Sequence, residues 1–213
     1  MIENLHETTK KIKQSLRLSM NGIVSTHQRR QGLDYRINFG VEIPRLKSIA
    51  QEYPQDKELA EALWQDNVRE CKLMAIFLMP QENYTDIAEK WVAEAPFTEI
   101  ADHLAMNILC KLPTATTDAL RWIGHNSGLS QYCGYLTLTH LFRNGTTLTP
   151  SEEKELYKQV AESFTAEAEA FITRCALTAL CRYIDHNDSK AKDIIEYAGN
   201  NSKLAIMIAD YTA

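Results

Sequence analysis

The sequence has few of the residues that interrupt helices, with only 8 glycines and 6 prolines among its 213 residues. It also lacks a long apolar run, and no stretch approaches the roughly 20 apolar residues that a membrane-spanning helix needs. Hydrophobic residues make up 45% of the chain and charged residues 24%, as in ordinary globular proteins. These shortages predict a helix-rich protein that does not cross a membrane.

Paired cysteine motifs are absent as well. There are five cysteines, and no two of them form a CxxC pair. Most stand at apolar helical positions, where cysteine behaves as a small buried hydrophobic residue. The start, "MIENLHETTKKIKQSL", is charged and amphipathic and has no apolar core of the kind found in secretory signals. We therefore expect a reduced protein located in the cytoplasm.

An excess of positive charge is also missing. The formal net charge is −5 and the isoelectric point is near 5.7. Nothing global therefore draws the chain to nucleic acid or to an anionic membrane, and a site for a polyanion would have to be a local basic patch.

Several catalytic and metal-binding motifs cannot be found. The chain has no Gly-rich phosphate loop, no HExxH and no GxSxG, and its six histidines include no i,i+4 pair. "DHNDSK", from Asp185, resembles the first half of a calcium loop but lacks the required glycine and distal glutamate, so we interpret it as a polar turn. We expect no metal and no cofactor.

Apolar residues recur at helical spacing along the chain, and no segment alternates with period two. The helices fall into pairs, and the second helices are predicted to begin near 67, 97, 129, 168 and 201. A spacing of about 30 to 40 residues is typical of an α-solenoid, in which stacked pairs share a core and one helix of each pair lines a concave side. The prediction is an all-α solenoid of antiparallel helix pairs, with residues 1–213 as a single domain.

Three stretches together resemble the DNA alkylation repair family of HEAT-like glycosylases, and the likeness extends over residues of about 35 to 211. They are "NFGVEIPRLKSIAQEY" (38–53), "LAEALWQDNVRECKLMAIFLM" (59–79) and "FITRCALTALCRY" (171–183). The second carries the family's pattern at Leu63, Trp64, Glu70, Lys72 and Ala75. The order and spacing of the three stretches are more specific than any one of them.

The resemblance implies an activity on double-stranded DNA. Active members of the family remove positively charged alkylated purines by cleaving the N-glycosidic bond, without a metal or cofactor. A carboxylate stabilises the oxocarbenium character that develops on the sugar. Aromatic faces can hold the cation, and an arginine can bind the neighbouring phosphate.

The family's functional residues map onto two helices of this chain. "FTEIAD" places Asp102 on the catalytic aspartate, while Thr98 and the adjacent Phe97 stand where the family has tryptophan. The phosphate-binding arginine would fall in "LSQYCGYLTL", where Tyr132 stands and no Arg or Lys follows until Arg143. We therefore predict that Asp102 is catalytic and that Phe97, Thr98 and Tyr132 bind substrate.

Four basic residues are candidates for a basic lining of the concave side that contacts DNA, although a solvent-exposed face is the usual place for such charges. They are Arg45, Arg69, Lys72 and Arg174. Asp102 also has a purely structural alternative. If Thr98 caps the helix, Asp102 lies in the favourable field of the helix N-terminus and stabilises it by roughly 0.3 to 1 kcal/mol without any function.

The leading hypothesis is a DNA alkylation repair protein that excises alkylated purines. A second version of the hypothesis is a DNA-binding protein of the same fold that has lost excision. An alternative from another class is a helical-repeat scaffold that binds a protein or peptide, which the acidic balance permits.

Overall fold

The computed structural model describes residues 4–125, 127–165, 169–187, 189–199 and 202–213. Within these residues the chain forms thirteen α-helices and two short 3-10 helices, and its only β-type pairing is an isolated bridge between Ile37 and Val68. The predicted all-α class is confirmed. Of the helices described, none is long and apolar enough to cross a membrane.

The chain folds into two compact units, Met1–Glu89 and Lys90–Ala213, with the division inside α6. The helices up to that division are α1 (Leu5–Leu18), α2 (Gly22–Arg30), α3 (Ile43–Ala50), α4 (Lys57–Trp64), α5 (Arg69–Leu78) and α6 (Tyr84–Glu94), with a 3-10 turn at Gln81–Asn83. In the first unit α5 packs against α3 and α4, and α1 packs against the same two helices. The single domain over residues 1–213 stays a prediction.

The second unit contains the helices on which most of the predicted site residues lie. They are α7 (Thr98–Asn107), α8 (Ala115–Ile123), α9 (Gly128–Arg143), α10 (Pro150–Glu162), α11 (Ala170–Ile184), α12 (Lys190–Ala198) and α13 (Lys203–Thr212), with a 3-10 turn at Leu109–Lys111. The long helix α9 packs against α7, α8 and α11. The second helices of three successive pairs, α7, α9 and α11, are therefore neighbours.

The helix starts agree with the sequence pattern to within two residues. The second helices begin at Arg69, Thr98, Gly128, Ala170 and Lys203. Positions 168 and 201 of the predicted starts, and Ile2 of the predicted first helix, lie outside the described residues. The sequence pattern missed α2 because this helix buries none of its own residues and so carries no apolar stripe.

The three tryptophans are core residues. Trp64, Trp91 and Trp122 are at most 1% exposed, so all three rings lie inside the core. In the second unit a hydrophobic cluster spans α8 to α13 and includes Tyr135 and Phe142. Since cores of this kind are close-packed, they fix where each helix lies.

One glycine allows the close approach of α8 to α9. A Cβ atom on Gly134 would lie 2.6 Å from the carbonyl oxygen of Ala119 and 2.6 Å from Cγ1 of Ile123. Both distances are shorter than van der Waals contact, so α9 lies against the backbone of α8 at this point.

We predict that Gly134→Ala destabilises the protein by roughly 1 to 3 kcal/mol, the usual penalty of overpacking, despite the better helix propensity of alanine. Urea unfolding followed by circular dichroism measures this difference. Gly128→Ala is the control, because a Cβ there would meet its nearest atom at an ordinary 3.6 Å. Equal midpoints for the two variants would contradict the close packing of α8 and α9.

Candidate nucleic-acid site

The neighbouring helices α7, α9 and α11 bring three side chains together. The Tyr132 hydroxyl on α9 donates a hydrogen bond to Oδ1 of Asp102 on α7, with an oxygen–oxygen distance of 2.6 Å. The ring of Tyr132 packs against Phe171 on α11, with centroids 4.7 Å apart and planes inclined by 40°. An acid and two aromatic rings therefore form one site, which contains two of the predicted residues and adds Phe171.

Local sequence explains why Asp102 lies at the edge of its helix. The buried face of α7 is formed by Ile100, Ala101, Leu104 and Ala105. Asp102 flanks this apolar stripe, and Tyr132 is half-buried beside it.

The predicted N-cap at Thr98 is wrong by one residue. Phe97 is the N-cap of α7, with extended backbone (φ −149°, ψ 158°) and no side-chain cap hydrogen bond, and Thr98 is the first helical residue. The acid in the first turn is Glu99, and Asp102 lies beyond it. Asp102 is therefore poorly placed to stabilise the helix end, since that field falls off within the first turn.

The electrostatics of the pair keep the proton on the tyrosine. Partial burial raises the pKa of Asp102 above its ordinary value, and the hydrogen bond from Tyr132 lowers it without cancelling that rise. The pKa of Tyr132 is raised by burial and then by the adjacent carboxylate. The phenol therefore remains the donor, and the carboxylate accepts through Oδ1.

Two histidines influence this site electrostatically. His103 follows Asp102 in sequence, and its charge lowers the pKa of the aspartate. Burial lowers the pKa of His140 and Arg143 lowers it further, whereas Asp102 opposes both effects. A carboxylate bound by a tyrosine whose ring packs on a second aromatic ring can attract a cation, and the rings can add cation–π contacts.

The prediction that Arg69 contacts DNA needs correction. Arg69 is 1% exposed, and its Nη1 atom donates hydrogen bonds to the carbonyl oxygen of Val41 and to Oε1 of Glu70, both at 2.9 Å. A guanidinium buried in this way cannot reach a phosphate without breaking a buried ion pair, which is strongly destabilising. Arg69 therefore supports the fold of the first unit.

Lys72 is also engaged within the first unit. Its Nζ atom donates to the carbonyl oxygen of Trp64 at 2.6 Å and lies 4.5 Å from the centroid of a Trp64 ring. The Lys72 side chain is half-buried, so its apolar stem packs against the protein and only part of the side chain reaches the surface. We therefore leave Lys72, like Arg69, out of the DNA-contacting set.

The other two predicted basic residues are exposed. Arg45 on α3 donates from Nε to the Ser19 hydroxyl at 3.2 Å. Arg174 on α11 lies one turn after Phe171 and lines an open pocket of about 370 Å³ together with Lys203. A DNA contact by Arg45 or by Arg174 stays a prediction.

The described part of the chain contains no cluster of three His, Cys, Asp or Glu side chains that could hold a metal ion. All five cysteines are free thiols. Burial raises the pKa of Cys71 and of Cys133 to about 12, so neither thiol ionises appreciably at neutral pH.

One comparison with known proteins concerns the family of the chain, and another concerns its fold. Residues 12–172 match the family model described as "DNA alkylation repair enzyme". A solved structure described as "a new family of proteins related to the HEAT-like repeat DNA glycosylases with affinity for branched DNA structures" is similar with a TM-score of 0.74 and 17% sequence identity. The match covers 95% of this chain and 92% of that one, and it confirms the predicted HEAT-like solenoid fold. No curated protein matches the chain.

We predict that Asp102→Asn is at least as stable as the wild-type protein at pH 7. When the pKa of a carboxyl group is raised in the folded protein, the stability of the protein falls as the pH rises through that pKa. The neutral amide of asparagine does not ionise and so removes this loss. Thermal unfolding at pH 7 measures the effect. Glu99→Gln, in the first turn of α7, is the control and should lose roughly 0.3 to 1 kcal/mol. A loss of that size in Asp102→Asn would instead favour a helix-stabilising role.

Proposed function

We propose that this chain, which belongs to the DNA alkylation repair enzyme family, binds DNA and uses Asp102 to excise positively charged alkylated purines. The family assignment rests on a match over residues 12–172, more than half of the chain. The observation that carries the activity is the Asp102 carboxylate, held at 2.6 Å by the hydroxyl of Tyr132, whose ring packs on Phe171.

The reaction needs little from the protein. The bond between C1′ of the deoxyribose and the purine nitrogen breaks, and its electron pair neutralises the positive charge of the base. The sugar then develops oxocarbenium character, which a nearby carboxylate stabilises electrostatically. Water forms the new C1′–O bond and releases its proton to Asp102 or to solvent. The products are the free alkylated base and an abasic site.

Each side chain of the site has a role in this proposal. Tyr132 fixes Oδ1 of Asp102, and we assign the other carboxylate oxygen, Oδ2, to the sugar cation and the attacking water. The faces of Tyr132 and Phe171 offer cation–π contact to the charged base. Phe97 and Thr98, half-buried at the start of α7, complete the proposed substrate-binding set.

Contact with the DNA backbone is assigned to the exposed arginines. Arg174 lies on the same helix as Phe171, three residues further along, and Arg45 lies on α3 of the first unit. Guanidinium groups bind phosphate oxygens through charge-assisted hydrogen bonds. Because the chain as a whole is acidic, such contacts have to be local.

A second candidate function is DNA binding without excision. Tyr132 lies in the region where the resemblance places a phosphate-binding arginine, and its hydroxyl donates to one carboxylate oxygen of Asp102. A phenol supplies a hydrogen bond but no positive charge to offset the repulsion between Asp102 and a phosphate. The description of the similar structure, which gives that protein an affinity for branched DNA, supports this candidate too.

We predict that the wild-type protein releases methylated purines from a methylated duplex and that Asp102→Asn slows release by roughly 100-fold, the scale of losing one electrostatic stabiliser. Chromatography of the released base measures the rate. Glu196→Gln, at an exposed carboxylate of α12, removes the same charge outside the site and should leave the rate unchanged.

Binding separates the remaining outcomes of this experiment. Equal background release from wild type and Asp102→Asn, together with DNA affinity that falls steeply with salt, would refute excision and support the non-catalytic candidate. Absence of DNA binding at low salt would refute both and favour the protein-binding scaffold.

A further inference from the structure

Positive charge is concentrated at one end of the sequence. Residues 1–50 hold nine of the 23 Lys and Arg residues but only four of the 28 Asp and Glu residues, a formal charge of +5. The other 163 residues therefore carry −10. A polyanion would be drawn to the part of the first unit that contains α1, α2 and α3.

The same region presents an unusual apolar surface. Leu18, Met20 and Ile23 are 80%, 61% and 85% exposed, and they fall within six residues where α1 ends and α2 begins. We name residues 18–23 the α1–α2 corner. A single exposed apolar residue is ordinary, but three at one turn indicate a surface that contacts something else.

Hydrogen bonds hold the α1–α2 corner in place. The Asn21 side chain caps α2 by accepting from the backbone of Ile23 and Val24, both at 3.2 Å. The Asn21 backbone N–H donates to the carbonyl oxygen of Phe39 at 2.8 Å, and the Ser25 hydroxyl donates to that of Asn38, also at 2.8 Å. The corner is therefore fixed to the segment that precedes α3.

That segment is fixed in turn by the buried ion pair. The Glu70 carboxylate accepts from the backbone of Phe39 at 3.1 Å and of Val41 at 3.2 Å, while Arg69 donates to the Val41 carbonyl. Gly40, between them, has φ +70°, and a Cβ there would overlap the Asn21 carbonyl oxygen. The apolar side chains are thus displayed on a rigid support.

Arginines flank the apolar side chains. Arg17 precedes Leu18 in the last turn of α1 and is exposed. Arg45 lies beside the α1–α2 corner because its Nε atom donates to Ser19 at 3.2 Å. The corner therefore combines an apolar tip with two positively charged groups.

We propose that the α1–α2 corner docks onto DNA where base stacking is interrupted. Leu18, Met20 and Ile23 contact the exposed faces of the unstacked bases, and Arg17 and Arg45 contact the adjacent phosphates. Apolar wedges insert between base steps at the expense of stacking, and that expense is smallest where stacking is already broken. This role rests on the proposed DNA binding. An anionic lipid surface offers similar chemistry, but membership of a DNA repair family favours DNA.

The test compares two fluorescent DNAs of equal length in nucleotides, a linear duplex and a three-way junction with unpaired bases at the branch. We predict that the wild-type protein binds the junction at least about tenfold more tightly by fluorescence anisotropy. The triple variant Leu18→Ser, Met20→Ser and Ile23→Ser loses this preference and keeps duplex affinity within about twofold. Ile206→Ser, at an exposed apolar residue of α13, is the control and keeps the preference.

A second variant tests the flanking charges. Arg17→Gln with Arg45→Gln should weaken binding to both DNAs and flatten the dependence of log K on log salt by about 2, one unit for each phosphate contact. Circular dichroism should show wild-type folding for both variants, because all five side chains are exposed.

The outcomes distinguish this inference from the proposed function. A triple variant that keeps the junction preference, or a wild type with none, would overturn the role of the α1–α2 corner while leaving DNA binding intact. A wild type that binds neither DNA would overturn both. Binding to phosphatidylserine vesicles without binding to DNA would overturn the choice of nucleic acid in favour of lipid.

Discussion

The hydrogen bond between the Tyr132 hydroxyl and the Asp102 carboxylate is the interaction on which the site depends. It joins α7 to α9, and the packing of Tyr132 on Phe171 extends the connection to α11. Without it Asp102 would be an acid beyond the first turn of a helix whose N-terminal field Glu99 already complements. Partial burial raises the pKa of Asp102, and the hydrogen bond from Tyr132 opposes that rise. A carboxyl group whose pKa is shifted by its surroundings is a candidate for function.

Positive charge in the first unit has two separate uses. Arg69 is buried inside the fold, where Arg69 and Glu70 form hydrogen bonds to the segment around Gly40. That segment supports the α1–α2 corner, where Arg45 is exposed beside the apolar tip. Arg69 thus supports the surface that we propose for DNA binding only indirectly, by holding the segment beneath it.

Much of the fold could be predicted from the sequence, because helical periodicity and prolines mark most helices. The exceptions have physical causes: α2 buries none of its residues and leaves no periodic signal. Asp102 could be placed at a helix edge because it flanks an apolar stripe. Its partner Tyr132 could not be predicted, because it lies 30 residues away in sequence and only the packing of the helices brings the two side chains together. The burial of Arg69 contradicts the usual exposure of arginine. The one signal for it in the sequence is the adjacent Glu70, with which Arg69 forms a buried ion pair.

The most direct test of the central claim asks which part of the DNA lies against the Asp102 site. A photoreactive benzoylphenylalanine in place of Phe171 would be crosslinked to a duplex that carries one methylated purine. The site described here predicts crosslinks at the methylated nucleotide and its immediate neighbours, lost in competition with excess methylated duplex. Crosslinks spread evenly along the duplex, or none despite binding, would contradict a substrate-binding role for the helices that carry Asp102, Tyr132 and Phe171.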